Sequence, residues 1–391
     1  MNTFALVLVA LPLLLGVYAY AGYPALLWLL QRTRRERPVA EPEEWPRISI
    51  TVPAYNEEAQ IRGTIESLLR LDYPADRRQI LIVSDASTDR TDDIVREYAD
   101  RGVELLRMPE RRGKGAAENA AAQRLTGEII VNTDASIRIA PDALKPLIAR
   151  FTDPRVGLAS GRDVSVAHVE EDANRGESGY VGYEMWVRKL ETRIDGIVGA
   201  SGCFYAIRSH LQRIPLPEHI SRDFAAAIVT RENGYRAVSV DEAICLVPRT
   251  TSLKQEYRRK VRTMTRGMGT LWYKRALLNP FRYGVFAWML FSHKVCRWLV
   301  PWTLPLALVG LVMLAPSYPA AGFGLFLATL GAGAAVAGWA VADRPHPPRL
   351  LVLAAFAAAG NLAAIHAGIR ALKGQTNALW EPTRREVVVQ S

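Results

Sequence analysis

Charged side chains are absent from two long stretches of this 391-residue sequence, residues 1–31 and 298–342. An apolar stretch of about 20 residues is long enough to cross a bilayer, so a chain that is soluble throughout is excluded. Cysteine is also scarce, since Cys203, Cys245 and Cys296 are the only three. They are too widely spaced for a metal motif, and they are typical of buried small apolar side chains in a reducing compartment.

Two phosphate-binding motifs are missing as well. No Gly-x-Gly-x-x-Gly follows the first predicted strand, and no Walker-type loop occurs in the chain. These loops bind the phosphates in dinucleotide-dependent dehydrogenases and in P-loop ATPases. Both classes of enzyme are therefore disfavoured.

The net charge of +10 is concentrated in one part of the chain. Between residues 249 and 297, twelve basic residues stand against the single acid Glu256, and aromatic residues are interleaved with them. Nucleic-acid binding is the alternative interpretation of a basic chain. Basic and aromatic residues that directly precede an apolar block are instead typical of the headgroup zone of a membrane. We therefore expect a lipid bilayer as a partner, no nucleic acid, and basic amphipathic interface helices at 251–297.

The apolar blocks predict transmembrane helices at both ends of the chain. Four arginines between residues 32 and 37 follow the first block, whereas a signal peptide carries its charges before the apolar run. Residues 1–31 are thus predicted to be an anchor, and the positive-inside rule places the domain after it in the cytoplasm. About three further spans are expected at 298–372, before a tail at 373–391. The expected location is the cell (inner) membrane, with several spans. A total of four spans puts the tail outside the cell, whereas the basic residues of the tail favour the cytoplasm. The side of the membrane on which the tail lies therefore stays open.

Residues 46–250 show the alternation of strands and helices that is typical of a parallel sheet covered on both faces. The predicted strands are Ile48–Tyr55, Gln79–Asp85, Val103–Met108 and Glu128–Asn132. The predicted helices are Glu57–Leu71, with Asn56 as its N-cap, Thr88–Arg101 and Gly115–Leu125. Ligands bind such sheets at the carboxyl ends of the strands.

Short polar segments follow three of these strands. They are Pro53-Ala54-Tyr55-Asn56-Glu57, Asp85-Ala86-Ser87-Thr88-Asp89 and Thr133-Asp134-Ala135-Ser136, and a Gly-Lys-Gly turn at 113–115 lies between the last two. Asp85 and Glu57 offer the directional acceptors that a base or ribose needs. Lys114 and a metal ion on Asp134 offer the positive charge that a diphosphate needs. Each segment alone also fits a helix cap or a solvated turn, but together they predict a nucleotide site.

In this order, the Pro-Ala-Tyr-Asn-Glu and Asp-x-Ser-x-Asp segments resemble family 2 of the inverting glycosyltransferases. The resemblance is to the membrane-integrated branch with hyaluronan, chitin-oligosaccharide and poly-N-acetylglucosamine synthases, and it covers about Ile48 to Gly267. It implies an α/β fold of the GT-A type, with a mostly parallel sheet and helices on both faces. It also implies a nucleotide-sugar donor, expected to be a UDP-sugar whose uracil is bound by Asp85, and Mg2+ or Mn2+ on the diphosphate.

The resemblance also assigns roles to single residues. The implied donor-binding residues are Pro53, Ala54, Tyr55, Glu57, Asp85, Lys114, Asp134, Arg259 and Arg262. Gly202, Cys203 and Phe204 lie in a segment that resembles the acceptor-side loop of the family. Ser221-Arg222-Asp223 resembles its short acidic motif, which makes Asp223 the expected general base, although an acid at a helix N-terminus is the plainer interpretation of Asp223. Glu184 is expected to be a surface acid.

The sequence departs from the family pattern at two positions. Ser136 stands where a second metal-binding carboxylate is usual, so Asp134 and Ser136 are the predicted metal ligands. Thr263 stands where polymerising members carry the Trp of a Gln-x-x-Arg-Trp motif.

Three hypotheses remain. We expect a transferase, in polysaccharide or glycolipid biosynthesis, that moves a hexosyl or N-acetylhexosaminyl group to a lipid-linked or saccharide acceptor. A processive synthase that translocates its polymer is disfavoured by the missing Trp, and the third hypothesis is an inactive nucleotide-sugar-binding membrane scaffold.

Overall fold

A computed structural model describes residues 2–34, 38–166, 175–248, 252–344 and 347–375. The chain begins with a helical segment that spans Asn2–Gln31. It comprises α1 (Asn2–Val17), one wider helical turn at 18–22, and α2 (Tyr23–Gln31). Most of the large apolar side chains of α1 are exposed, as expected of a helix that faces lipid.

A sheet of eight strands follows within the described residues. The strands are β1 (Ile48–Ala54), β2 (Arg78–Ser84), β3 (Val103–Arg107), β4 (Ile129–Thr133), β5 (Arg138–Ile139), β6 (Val156–Val166), β7 (Phe204–Arg208) and β8 (Arg236–Pro248). Their spatial order is β3-β2-β1-β4-β7-β6-β8-β5. The first four strands are parallel to one another, whereas β7 is antiparallel to both of its neighbours. The predicted α/β sheet is therefore confirmed, with a mixed second half.

Helices cover both faces of this sheet, as predicted. They are α3 (Ile61–Leu69), α4 (Thr91–Arg96), α5 (Lys114–Ala121), α6 (Leu144–Ala149), α7 (Arg175–Ile194), α8 (Ser209–Gln212) and α9 (Arg222–Glu232). One apolar cluster joins the sheet to α3, α4 and α6, and a second joins its other face to α5, α8 and α9. Because both faces are covered, all seven residues of β1 are buried, including Ser49 and Thr51.

The C-terminal part of the chain is helical. After α10 (Leu253–Tyr273) come α11 (Pro280–Leu290), α12 (Arg297–Leu314), α13 (Pro319–Val341) and α14 (Arg349–Leu372). Across the described residues, four helical segments are long and apolar enough to cross a membrane: Asn2–Gln31, Pro280–Leu314, Pro319–Val341 and Arg349–Leu372. Their number matches the predicted one span plus three.

The second of these segments begins earlier than the sequence predicts. It runs from Pro280, with a kink at Gly284, so residues 280–297 lie in the same helical segment as the first C-terminal span instead of in a separate interface helix. The polar side chains of His293 and Arg297 interrupt the apolar pattern there, and both contact carboxylates of the protein.

The basic helix α10 lies along α14. The Tyr257 hydroxyl is 3.1 Å from His366 Nδ1, and the Lys260 ammonium lies 3.8 Å from the centroid of the Phe356 ring. At its other end α10 contacts the loop before α9, where Arg266 donates to the carbonyl of Ile220 at 2.7 Å. This helix therefore connects the last candidate membrane span with the domain that contains the sheet.

Candidate active site

The segments after β1 and β2 hold each other in place. Asn56 has a left-handed backbone, with φ of 51°, and its side-chain oxygen accepts a hydrogen bond from the Thr88 amide at 2.8 Å. The Glu57 amide donates to Thr91 Oγ1 at 2.8 Å, and the Glu57 side chain is buried. Asn56 is therefore not the N-cap of the next helix, which begins only at Ile61. That prediction was wrong because Asn56 bonds across to the neighbouring loop.

Pro53 and Ala54 are buried at the end of β1, and Tyr55 emerges from it half-buried. The guanidinium of Arg111 stacks on the Tyr55 ring, 3.8 Å from its centroid. Arg111 belongs to the loop before α5, so this stacking places that loop next to the end of β1.

The carboxylate of Asp85 holds the same loop through two hydrogen bonds. Its Oδ1 accepts the Arg112 amide at 2.8 Å, and its Oδ2 accepts the Gly113 amide at 2.7 Å. Gly113 has a φ of 93°, which few residues other than glycine adopt. The buried carboxylate thus positions the residue that follows, Lys114. The binding of uracil by Asp85 stays a prediction. The structure shows in addition that Asp85 holds the loop before α5.

Lys114 lies at the start of α5 and connects three parts of the site. Its ammonium is 2.5 Å from Asp134 Oδ1, in the turn after β4, and 3.4 Å from the carbonyl oxygen of Gly202. Burial would lower the pKa of Lys114, but Asp134, Glu118 and Asp223 together raise that pKa above its ordinary value. Lys114 is therefore a permanent positive charge among acidic side chains.

Asp223 approaches this group from the first turn of α9. A Cβ on Gly202 would come within 2.7 Å of Asp223 Oδ2, so the carboxylate lies directly against the glycine. Its other oxygen accepts a hydrogen bond from Ser221 Oγ at 2.5 Å. The Ser221 amide in turn donates to Thr270 Oγ1 on α10 at 2.9 Å, which ties this turn to the basic helix.

The structure therefore brings together Lys114, Asp134, Gly202 and Asp223, four of the residues selected from the sequence. They come from α5, the turn after β4, the loop before β7 and the start of α9. These elements are far apart in the sequence, so only the tertiary structure makes the four residues neighbours. Their geometry joins one cation and two carboxylates around the backbone of a glycine.

The rest of the predicted acceptor-side loop lies beside this group and is held by hydrogen bonds. The Cys203 amide donates to Ser201 Oγ at 3.1 Å, and Phe204 is fully buried where β7 begins. Ser201 Oγ donates to Asp163 Oδ1 at 2.5 Å. Cys203 is half-buried, whereas Cys245 and Cys296 are buried, and none of the three forms a disulfide within the described residues. Asp163 was not among the residues predicted from the sequence, because no motif surrounds it.

Glu118 is a second residue that the sequence analysis missed. It lies one turn after Lys114 on α5 and is buried, with its Oε1 3.9 Å from the Lys114 ammonium. Its Oε2 is 3.9 Å from Arg222 Nε and accepts no hydrogen bond from the described residues. Burial raises the pKa of Glu118, against the opposing effect of Lys114 and Arg222. Its position four residues after Lys114 on the same helix was the sequence feature that could have predicted this contact.

Asp134 and Ser136 fit a divalent cation by the chemistry of their oxygen atoms. Mg2+ is commonly held by one or two carboxylates together with substrate phosphates and water. The Asp134 side chain keeps 19% of its surface exposed, so a cation that arrives with a diphosphate can reach it. The described residues contain no group of three or more His, Cys, Asp or Glu side chains that could hold an ion without substrate. Metal ligation by Asp134 and Ser136 stays a prediction.

Arg259 and Arg262 lie on α10. The guanidinium of Arg259 donates two hydrogen bonds of 2.7 Å to the buried carboxylate of Glu256, one turn earlier on the same helix. Arg262 lies one turn before Arg266, hence on the side of α10 that meets the loop before α9. Thr263 is exposed. Donor binding by the two arginines stays a prediction.

Glu184 is not the surface acid that the sequence predicted. It binds Arg297, and its Oε2 is 2.9 Å from His293 Nε2. The other nitrogen of His293 is 2.6 Å from Glu191 Oε1, which also accepts from the Tyr23 hydroxyl at 2.6 Å. Burial would raise the pKa of Glu184, but His293 and Arg297 hold it well below its ordinary value. The prediction failed because His293 and Arg297 are more than 100 residues away in the sequence.

The glycosyl transferase family 2 model matches residues 49–211. A β-monoglucosyldiacylglycerol synthase of Nostoc sp. is 30% identical over 188 residues, which are 47% of this chain and 40% of that relative. An N-acetylglucosaminyltransferase of Mesorhizobium japonicum is 27% identical over 251 residues, 59% of this chain and 57% of that relative. This chain thus spans about half the length of these curated relatives.

Among solved structures, a mannosyltransferase from Pyrobaculum calidifontis, in complex with GDP-Man and Mn2+, is similar along almost the whole chain. Its TM-score is 0.70 at 25% identity, and the match covers 94% of this chain and 99% of the mannosyltransferase. The predicted GT-A type of fold and the predicted glycosyltransferase domain are both confirmed by these similarities.

Proposed function

We propose that this chain, which carries a glycosyl transferase family 2 domain, is a membrane-bound inverting glycosyltransferase of polysaccharide or glycolipid biosynthesis. It moves a hexosyl or N-acetylhexosaminyl group from a nucleotide sugar to a lipid-linked or saccharide acceptor. The observation that carries the proposal is the convergence of Lys114, Asp134 and Asp223 on Gly202, because inverting transfer needs both a base and positive charge beside the leaving diphosphate.

In this proposal the donor binds along the carboxyl ends of β1, β2 and β4. Tyr55 stacks with Arg111 at one side of the base, and Glu57 and Asp85 supply acceptors for the base and ribose. A UDP-sugar is the expected donor. The similar mannosyltransferase holds GDP-Man, so a GDP-sugar is the first alternative.

The transfer step follows from the position of Asp223. An acceptor hydroxyl loses its proton to the Asp223 carboxylate while its oxygen forms a bond to the anomeric carbon. The bond from that carbon to the diphosphate oxygen breaks on the opposite face, and the nucleoside diphosphate leaves with the electron pair. Ser221 Oγ holds one carboxylate oxygen by its 2.5 Å hydrogen bond and directs the other toward the loop of Gly202.

A divalent cation, Mg2+ or Mn2+, would be held by Asp134 and Ser136 and would neutralise charge on the diphosphate when bound. Lys114 supplies a fixed positive charge at the same place. Its hydrogen bond to Asp134 also orients that carboxylate before the donor arrives.

The membrane placement is part of the proposal. Four segments have the length and composition of membrane spans, and α10 carries basic residues between the last of them and the catalytic domain. The positive-inside rule then puts the domain at the cytoplasmic face of the inner membrane. A lipid-linked acceptor can reach Asp223 from this side, and one relative is named as a synthase of a glucosyl lipid.

Of the two modes of synthesis, we propose transfer of a single sugar and not processive synthesis. Thr263 offers no ring on which a growing polymer could stack, and it is exposed on α10. The length of the product after incubation with labelled donor separates the two, because a ladder of products contradicts single transfer.

A thermal-shift screen of the detergent-solubilised protein tests the proposed donor class. We expect stabilisation by one group among UDP-, GDP- and dTDP-sugars, and a larger shift with Mg2+ or Mn2+. Slow donor hydrolysis by the wild type, lost in Asp223→Asn, is expected as well. A protein that binds a nucleotide sugar but never hydrolyses or transfers it would instead be the inactive scaffold.

A further inference from the structure

Two cations outside the proposed donor site border its acceptor-side loop. Arg188, on α7, donates through Nη2 to the carbonyl of Ala200 at 3.2 Å. Lys294, in the segment between α11 and α12, places its ammonium 3.7 Å from where a Cβ of Gly199 would lie. The same ammonium is 5.5 Å from the centroid of the Phe224 ring, and Phe224 directly follows Asp223.

Neither cation forms a close ion pair with a carboxylate of the described residues. Arg188 Nη1 is buried and has no hydrogen-bond partner there. Glu184 and Glu191 attract the charge of Lys294, but the close partners of these two carboxylates are Arg297, His293 and the Tyr23 hydroxyl. The charges of Arg188 and Lys294 also repel each other. A buried charge without a partner is costly, and an adjacent like charge adds to this cost.

The position of the pair indicates where its anion comes from. Lys294 belongs to the segment Pro280–Leu314, which is apolar enough to cross a membrane, while Arg188 contacts the loop that leads to Gly202. An anion bound here would lie between the membrane and the proposed base. A phosphate carried by a lipid can reach this place without leaving the bilayer, and phosphate is a strong acceptor for both Arg and Lys.

We propose that Arg188 and Lys294 form a subsite for the phosphate group of a lipid acceptor, whose hydroxyl is thereby presented to Asp223. This proposal rests on the proposed function and narrows its acceptor to phosphate-bearing lipids. It differs from a neutral diacylglycerol acceptor, for which neither cation would be needed.

Binding of short-chain lipids to the full-length protein in a neutral detergent tests the subsite by calorimetry, without reliance on activity. The probes are dihexanoyl phosphatidylglycerol, dihexanoylglycerol and inorganic phosphate. We expect the phosphatidylglycerol to bind most tightly. Its dissociation constant should rise at least about tenfold in Arg188→Gln and in Lys294→Gln, as is typical for loss of a charged hydrogen bond.

Lys189→Gln is the matched control, because Lys189 is an exposed neighbour on α7 that pairs with Asp241. It should bind the lipid as the wild type does. Arg188→Lys and Lys294→Arg keep the charge and should retain most of the affinity, so a loss confined to the glutamine variants is not a folding defect.

Three results would overturn the subsite: equal lipid affinity in wild type and glutamine variants, equal affinity for dihexanoylglycerol, or inorganic phosphate that binds as tightly as the lipid. The last result would assign the pair to free phosphate. Donor hydrolysis is measured in parallel. A wild type without donor turnover, but with lipid binding that depends on Arg188 and Lys294, would refute the proposed function and leave the subsite standing.

Discussion

The carboxylate of Asp223 lies against the α-carbon of Gly202, where any side chain would come within 2.7 Å of Asp223 Oδ2. The carbonyl of the same glycine is 3.4 Å from the Lys114 ammonium. One residue without a side chain thus separates the proposed base from Lys114, the cation that we propose to face the leaving group. This relationship makes the site sensitive to very small changes.

Replacement of the proposed base has the clearest expected effect. Asp223→Asn should lower kcat for sugar transfer by about 100-fold to 10,000-fold, the range for loss of a general base, while the donor still binds. Donor affinity is checked by thermal shift in the presence of the nucleotide sugar. Glu232→Gln, at the other end of α9, is the control and should stay active. Full activity of Asp223→Asn would assign the base to another residue.

Gly202→Ala adds a single methyl group at the contact with Asp223. We expect it to displace the carboxylate and to lower kcat without a large change in thermal stability. Gly360→Ala, on α14, meets nothing within 4 Å and is the matched control, because a helical Gly-to-Ala change there is tolerated. If Gly202→Ala keeps the wild-type kcat, the proximity of the two residues has no catalytic role.

The raised pKa of Lys114 predicts a simple pH dependence. A lysine whose pKa is raised by folding stays charged below its ordinary value, roughly pH 10.4, and loses the charge only as the pH rises through the higher folded value. The KM for donor should therefore not rise between about pH 7 and pH 10 through loss of this charge. Steady-state kinetics across that range provide the measurement. A rise in the wild type that disappears in Lys114→Arg would contradict the prediction.

The metal prediction can be tested by restoring the usual second carboxylate. Removal of divalent cations with a chelator should abolish transfer, and Mn2+ or Mg2+ should restore it. Ser136→Asp should lower the cation concentration needed for half-maximal activity, because a second carboxylate strengthens binding of a hard cation. Asp134→Asn should raise the cation concentration needed for half-maximal activity. Activity that survives complete chelation would show that Lys114 alone supports departure of the diphosphate.

Glu118 predicts a pH-dependent change in stability. A carboxyl whose pKa is raised by burial contributes its stabilisation below about pH 4.3, and this is lost as the pH rises through the folded pKa. Glu118→Gln removes the charged form, so its Tm should exceed that of the wild type more at pH 8 than at pH 5. The exposed Glu110→Gln serves as the control. An equal difference at both pH values would mean that Glu118 does not titrate in this interval.

The sequence predicted the first half of the sheet closely and the starts of its helices poorly. Strands β1 to β4 begin within one residue of their predicted positions, because β-branched residues in buried strands leave a clear pattern. The helices α3 and α4 begin three or four residues late, and the residues before them, Asn56 and Glu57 among them, bond across to the neighbouring loop. Local propensity cannot anticipate bonds between segments that are about 30 residues apart.

Composition and spacing alone determined that the chain has four apolar segments, a basic segment before the second of them, and acidic residues at the carboxyl ends of parallel strands. The tertiary structure decided which of those acids meet. It placed Asp223 against Gly202 and Lys114 against Asp134, buried Glu118, paired Glu184 with Arg297, and left the buried Nη1 of Arg188 without a hydrogen-bond partner among the described residues. These contacts join residues from distant parts of the chain, so their geometry follows from the packing of the whole fold and not from any local pattern.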